Sequence, residues 1–153
     1  MTFTSPHSER MLELVESAKL ATLHGDVPVA ALVLGADGAV IGTGRNEREL
    51  RNDPTAHAEI LALQEAAAAK GSWHLEGCTL LVTLEPCAMC AGAILAARVP
   101  TVVFGAWDEK AGAVGSVYDL LRDRRLPHRV EVIAGVEEQA CAAPLVEFFR
   151  AKR

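Results

Sequence analysis

From Ser8 to His24 the apolar residues Met11, Leu12, Leu14, Val15, Ala18 and Ala21 recur three and four apart with polar residues between them. That spacing predicts an amphipathic helix that buries one face. Residues 27–35 (VPVAALVLG) and 39–44 (AVIGTG) are short apolar runs separated around Asp37-Gly38. An Asp-Gly pair supplies the positive φ of a tight hairpin turn, so the runs read as two antiparallel strands. Residues 55–71 are rich in helix formers, with Thr55 placed to cap the start and Gly71 to end it. Residues 78–85 (CTLLVTLE) have the aliphatic and β-branched content of a buried strand. They lead straight into 86–99 (PCAMCAGAILAARV), a helix with Pro86 at its first position, where a missing amide hydrogen costs nothing. Beyond it the pattern predicts a strand over 101–106, a short helix over 115–123, a strand over 129–135 and a closing helix over 137–152 that Pro144 bends or interrupts.

An initial helix and hairpin followed by alternating helices and strands define an α/β protein, a three-layer α/β/α sandwich around a mixed five-stranded sheet. Residues 1–153 contain no linker, repeat or low-complexity stretch, so a single domain is expected. With 50% hydrophobic and 23% charged residues the chain has enough apolar surface for a real core, which excludes a disordered or fibrous class. No basic start precedes an apolar stretch, and runs such as CAMCAGAILAA are too short to cross a bilayer. A cytoplasmic protein with no membrane partner is the expectation. A net charge of −5 argues against a general polyanion binder. Arginine and lysine nevertheless gather near 45–51, 121–129 and 150–153, where surface charges offset by nearby acids are the ordinary reading of each.

Four cysteines, Cys78, Cys87, Cys90 and Cys141, without an export signal read as thiols or metal ligands rather than disulfides. His57 alone is an ordinary helix-start histidine, and Glu59 alone an ordinary first-turn acid favoured by the helix dipole. Cys87 and Cys90 change that weighting. At a helix N-terminus a C-x-x-C pair brings both sulfurs to one point, and the positive end of the helix lowers thiol pKa values. A redox dithiol competes, although the motif stands far into the chain and its surroundings are Pro86 and Ala-Met. A four-ligand structural zinc site also competes, but it needs a second close ligand pair, and Cys78 and Cys141 are far apart. These two read as small buried hydrophobes. His57, Cys87 and Cys90 as three ligands leave the fourth position of a tetrahedral zinc ion to solvent, which such an ion activates near neutral pH. Glu59, two residues from a ligand, is placed to shuttle a proton.

Together HAE (57–59) and PCAMC (86–90) match H-x-E…P-C-x-x-C, the signature of the zinc-dependent nucleobase and nucleoside deaminases, and the chain is similar to that family. Over nearly its whole length, through DVPVAALVL, GRNEREL, TLLVTLEPCAMCAGAILAARV, VVFGAWDEKAGAVGSVYDLL and EFFRAKR, it resembles the bacterial tRNA-specific adenosine deaminases. The resemblance implies a cytidine deaminase-like fold, one Zn2+ per subunit on His57, Cys87 and Cys90, and Glu59 as the catalytic proton shuttle. The implied reaction is hydrolytic conversion of adenosine to inosine at the wobble position of a tRNA anticodon, with release of ammonia. It further implies substrate contacts from Asn46, the Ala58 amide, Asp108, Phe149 and Arg150, a tRNA anticodon stem-loop as partner, and a homodimer. Two positions depart from the family pattern. Ala30 stands where relatives usually have glycine, adding a methyl at an expected pocket wall, and Pro127 stands where they commonly have asparagine. Three rival functions stay open at this point. A deaminase of free guanine- or cytosine-type bases or nucleosides is mildly favoured by the acidic charge and opposed by the GAVGS and FFR segments. A noncatalytic RNA-binding subunit has no need of Glu59. A structural zinc protein would close its metal site to solvent.

Overall fold

The structure, a computed structural model, describes residues 4–152. Helix α1 (Ser8–Lys19) runs on into a 3-10 turn (Leu20–His24), and strands β1 (Ala30–Leu34) and β2 (Val40–Arg45) follow. Next come α2 (Arg48–Arg51), α3 (Ala58–Lys70), β3 (Thr79–Leu84), α4 (Ala88–Ala96), β4 (Thr101–Ala106), β5 (Glu131–Ile133) and α5 (Glu138–Ala151). The five strands form one sheet in the order β2-β1-β3-β4-β5. β1 is antiparallel to β2 and β3, while β3, β4 and β5 run parallel, so the sheet is mixed as the pattern predicts. Helices α1 and α5 pack on each other and on the sheet, α3 lies across β1 and β2, and α4 packs beside α3. The result is the expected three-layer sandwich. Parallel strands cannot be joined by a tight turn, so β3 crosses to β4 through α4. That crossover places the cysteine pair at the carboxyl end of a buried strand.

The hairpin forms with a turn different from the one expected. Gly38 N–H bonds the Gly35 carbonyl at 2.9 Å and Gly35 N–H bonds Ala39 at 2.8 Å. Only Gly38, at φ 85°, is left-handed, so Asp37 needs no positive φ and its carboxylate accepts the Ala39 N–H at 3.0 Å instead. On β2, a methyl at Gly42 would lie 2.4 Å from the Ala62 carbonyl oxygen, and one at Gly44 would lie 2.4 Å from that of Ala58. These glycines let α3 lie directly on the strand. Ala58, Ala62 and Ala66 are its buried face, which explains an alanine-rich helix with little apolar bulk.

Several expectations are corrected. Thr55 is not the cap of α3, because its N–H and hydroxyl both bond Asp53 Oδ1, at 2.8 and 2.7 Å, and close a turn ahead of the helix. His57, with extended backbone, is the N-cap. Likewise Cys87, not Pro86, stands at the threshold of α4, again with extended backbone. Residues 115–123 form no helix. Gly115 has φ 133°, outside helical space, and the neighbouring amides serve another partner described below. Helix α2, which no periodicity announced, is held because Asp26 Oδ1 and Oδ2 accept the Glu49 and Leu50 N–H groups at 2.7 and 3.2 Å. Pro144 does not interrupt α5, which runs unbroken from Glu138 to Ala151. Ala30 is 0% exposed in β1, with its N–H on Thr83 Oγ1 at 3.2 Å, and is not one of the residues that border the cavity beside His57.

Candidate active site

His57 and Cys87 are both helix N-caps, and the extended backbone at each cap aims its side chain across the gap between α3 and α4. Cys90 follows one turn along α4 and is 0% exposed. The three ligand atoms lie within 4.8 Å of one another, with His57 Nδ1 at 3.7 Å from Cys87 Sγ and 3.5 Å from Cys90 Sγ. Zinc bonds of about 2.3 Å to sulfur and about 2.0–2.1 Å to nitrogen at a tetrahedral angle require N···S edges of about 3.6 Å. The observed separations fit that cage, and the donors are of the type zinc selects. Contact with Cys90, then with His57, draws the Cys87 thiol down to about 3, and the same contact together with burial pushes the Cys90 thiol up. A metal ion binds cysteine as thiolate, so loading this pair would release protons.

Glu59, in the first turn of α3, is 4% exposed, and burial raises its carboxyl pKa against the opposing pull of His57. It borders a cavity of about 700 Å3 together with His57, Cys87, Val29 and Leu84. Asn46, just past β2, lines the same cavity; its Nδ2 donates to the Val27 carbonyl at 3.3 Å, while its buried Oδ1 has no partner among the described residues. A buried acceptor without a donor is costly, so Oδ1 is ready for an N–H brought by a ligand. Ala58 borders the cavity too, and as the first helical residue its N–H has no partner within the helix.

Asp108 lines the cavity, but its Oδ1 is occupied with the N–H groups of Lys110 and Ala111 at 3.1 and 3.2 Å. Phe149 reaches the cavity mouth from α5, half exposed, edge-on to Phe148 at 5.3 Å between centroids. Arg150 is exposed on α5 and is not a lining residue. The cavity also takes in Arg48, Trp107 and Lys110, which periodicity and motif spacing pass over. Glu85 is a further omission; an acid closing a buried strand directly before Pro-Cys was its signal. Cys78 and Cys141 are buried free thiols, as expected, and burial raises both, Cys141 to about 12. Of the basic stretches, Arg51 pairs with Glu47, Arg122 with Asp119 and Arg125 with Asp123.

The likeness to known proteins reaches past this cluster: residues 5–153 match the MafB19-like deaminases, and the chain belongs to that family. It is similar, at 48% identity over 94% of its length and 88% of the relative's, to the tRNA-specific adenosine deaminase of Bacillus subtilis. A solved structure from work on A-to-I editing by tRNA:A34 deaminases at the wobble position of transfer RNA superposes with TM-score 0.84 at 38% identity, covering 90% of this chain and 99% of that one. The guanine deaminase of Nitrosomonas europaea shares the fold at TM-score 0.77 and 26% identity, covering 97% of this chain and 86% of that one.

Proposed function

We propose that this protein deaminates adenosine to inosine at the wobble position of a tRNA anticodon, taking up water and releasing ammonia. The observation that carries this reading is the chain-long likeness to tRNA-specific adenosine deaminases, joined to a His57–Cys87–Cys90 cluster with a buried carboxyl beside it. The protein is a hydrolase acting on a cyclic amidine, and its site is built to hold a metal ion.

We assign that ion as zinc, one per subunit, held by His57 Nδ1 and the sulfurs of Cys87 and Cys90. When bound, it supplies the Lewis acidity that makes solvent a nucleophile near neutral pH. Glu59 takes one proton from the attacking water and delivers it to a ring nitrogen, then carries the proton of the added hydroxyl to the amine, so that the C–N bond breaks, the carbonyl forms and ammonia leaves. Asn46 Oδ1 and the Ala58 N–H hold the base edge, and Val29 and Leu84 keep bulk water from its faces. The wobble nucleotide lies in an unpaired loop, so turning it out into the cavity gives up little stacking. Asp108, Phe149 and Arg150 belong to the rim that meets the rest of the anticodon loop.

We further read residues 1–153 as one catalytic domain, acting in the cytoplasm as a homodimer. The exposed side of α4 supports the dimer, because the small residues Ala88, Gly92 and Ala96 allow close approach of a second copy and Met89 beside them offers exposed apolar surface.

The test is an anticodon stem-loop carrying wobble adenosine, incubated with the purified protein and analysed for inosine. Inosine is expected, and a strong chelator should abolish it, with zinc restoring it. Parallel incubations with free guanine and cytidine should release no comparable ammonia. Ammonia from guanine and none from the stem-loop would replace this reading with a free-base deaminase.

A further inference from the structure

Glu85 follows β3 immediately, two residues ahead of Cys87, and is 2% exposed. A carboxylate buried that deeply needs partners. It finds all of them in one loop. Oε1 accepts the Asp108 N–H at 3.0 Å and the Ser116 hydroxyl, and Oε2 accepts the N–H groups of Val114 and Ser116, both at 3.0 Å. The loop is threaded against the carboxylate so closely that a methyl at Gly112 would lie 2.3 Å from the Glu85 carboxyl carbon. Two backbone contacts continue the seam: Ala113 N–H bonds the Pro86 carbonyl at 2.8 Å, and Cys87 pairs with Gly112 in an isolated bridge.

The same loop is a wall of the cavity, contributing Trp107, Asp108, Lys110 and Ala111. It has no regular secondary structure to set its shape. One acid, adjoining the cysteine motif, therefore anchors to the sheet the segment that a nucleotide entering the cavity must meet, alongside the loop's own bonds such as Gly112 N–H to the Asp108 carbonyl at 2.8 Å. We propose that Glu85 is a positioning residue that holds the 108–116 loop in its RNA-receiving shape, setting affinity for the anticodon loop separately from the metal chemistry. This rests on the tRNA deaminase reading above.

Glu85→Gln is the sharpest probe. Glutamine keeps the shape but replaces one acceptor oxygen with an NH2 group, and in either orientation that NH2 faces at least one backbone N–H that can only donate. The expected result is a KM for the stem-loop raised by about ten-fold or more, with kcat within about three-fold of the parent and zinc still bound. Gly112→Ala should displace the loop from the other side, and the double variant should lose less than the sum of the two singles, because both act through one contact. Ser116→Ala removes only the hydroxyl bond and should raise KM by about three-fold; it carries the test if Glu85→Gln does not fold. A merely stabilising Glu85 would lower the active fraction, and so kcat, with KM unchanged. A KM within about two-fold of the parent in the folded variant overturns the proposal, whatever kcat does. Amide exchange needs no substrate: the Asp108, Val114 and Ser116 amides should be protected in the parent and lose protection in Glu85→Gln. If the parent makes no inosine, the functional reading fails, while this exchange pattern still decides whether Glu85 clamps the loop.

Discussion

The tasks proposed for Glu59 and Cys87 are separable by single substitutions. Glu59 is buried beside the cluster but is not one of its three donors. Glu59→Gln should therefore retain zinc, measured by metal analysis of the purified variant, while inosine formation falls by about 100- to 10,000-fold, the range of a lost general acid and base. Cys87→Ala should lose zinc and activity together. Full activity in Glu59→Gln would remove the shuttle from the mechanism. The meeting of His57, Cys87 and Cys90 with Glu59 beside them was legible in the chain because H-x-E and C-x-x-C are local spacings, and a helix start turns local spacing into geometry. Asn46 was less legible. Its role depends on an unpartnered Oδ1 facing a cavity, and that cavity exists only once β1, α3 and the 108–116 loop have met.

At the scale of elements, the contact that places Glu59 and His57 is the seating of α3 on β2. Gly42 and Gly44 face the Ala62 and Ala58 carbonyls with no room for a methyl. Gly44→Ala should destabilise the fold by about 1–3 kcal/mol through overpacking, read as a lower midpoint in denaturant unfolding. Activity should fall further than the folded fraction, since α3 must shift and carries both residues with it; a midpoint at the parent value would show that α3 yields without cost. The helix expected over 115–123 failed for a reason the pattern could not contain. Its apolar spacing is genuine, with Leu121 buried, but Val117 and Tyr118 are exposed and the Ser116 N–H is committed to Glu85. The Leu120 N–H, which a helical ladder would bond to the Ser116 carbonyl, goes instead to Ala113 at 2.9 Å, and Gly115 at φ 133° lies outside helical space. The N-cap positions moved for a related reason: Thr55 satisfies Asp53, leaving His57 as the extended residue from which α3 starts.

For the whole molecule, one hydrophobic core joins both faces of the sheet, from Met11 on α1 and Leu145 on α5 to Ala62 and Leu63 on α3. Among the described residues no helix is long and apolar enough to cross a membrane. The exposed small-residue side of α4 lies on the helix that carries both cysteines, so an interface there would tie the metal cluster to the state of assembly. Sedimentation equilibrium should return twice the chain mass of 16.3 kDa, 32.6 kDa, at micromolar concentration, and a monomer that still makes inosine at the full rate would detach assembly from catalysis.

The fold class, the strand count and the three donors with their neighbouring acid were determined by the chain alone, because apolar periodicity and ligand spacing are properties of adjacent residues. Tertiary structure decided the rest: that 115–123 stays irregular, and that Glu85 and Gly112 meet. The start of α3 follows from a local turn between Asp53 and Thr55, whereas the 115–123 segment and the Glu85–Gly112 contact depend on groups distant in sequence that only packing brings together.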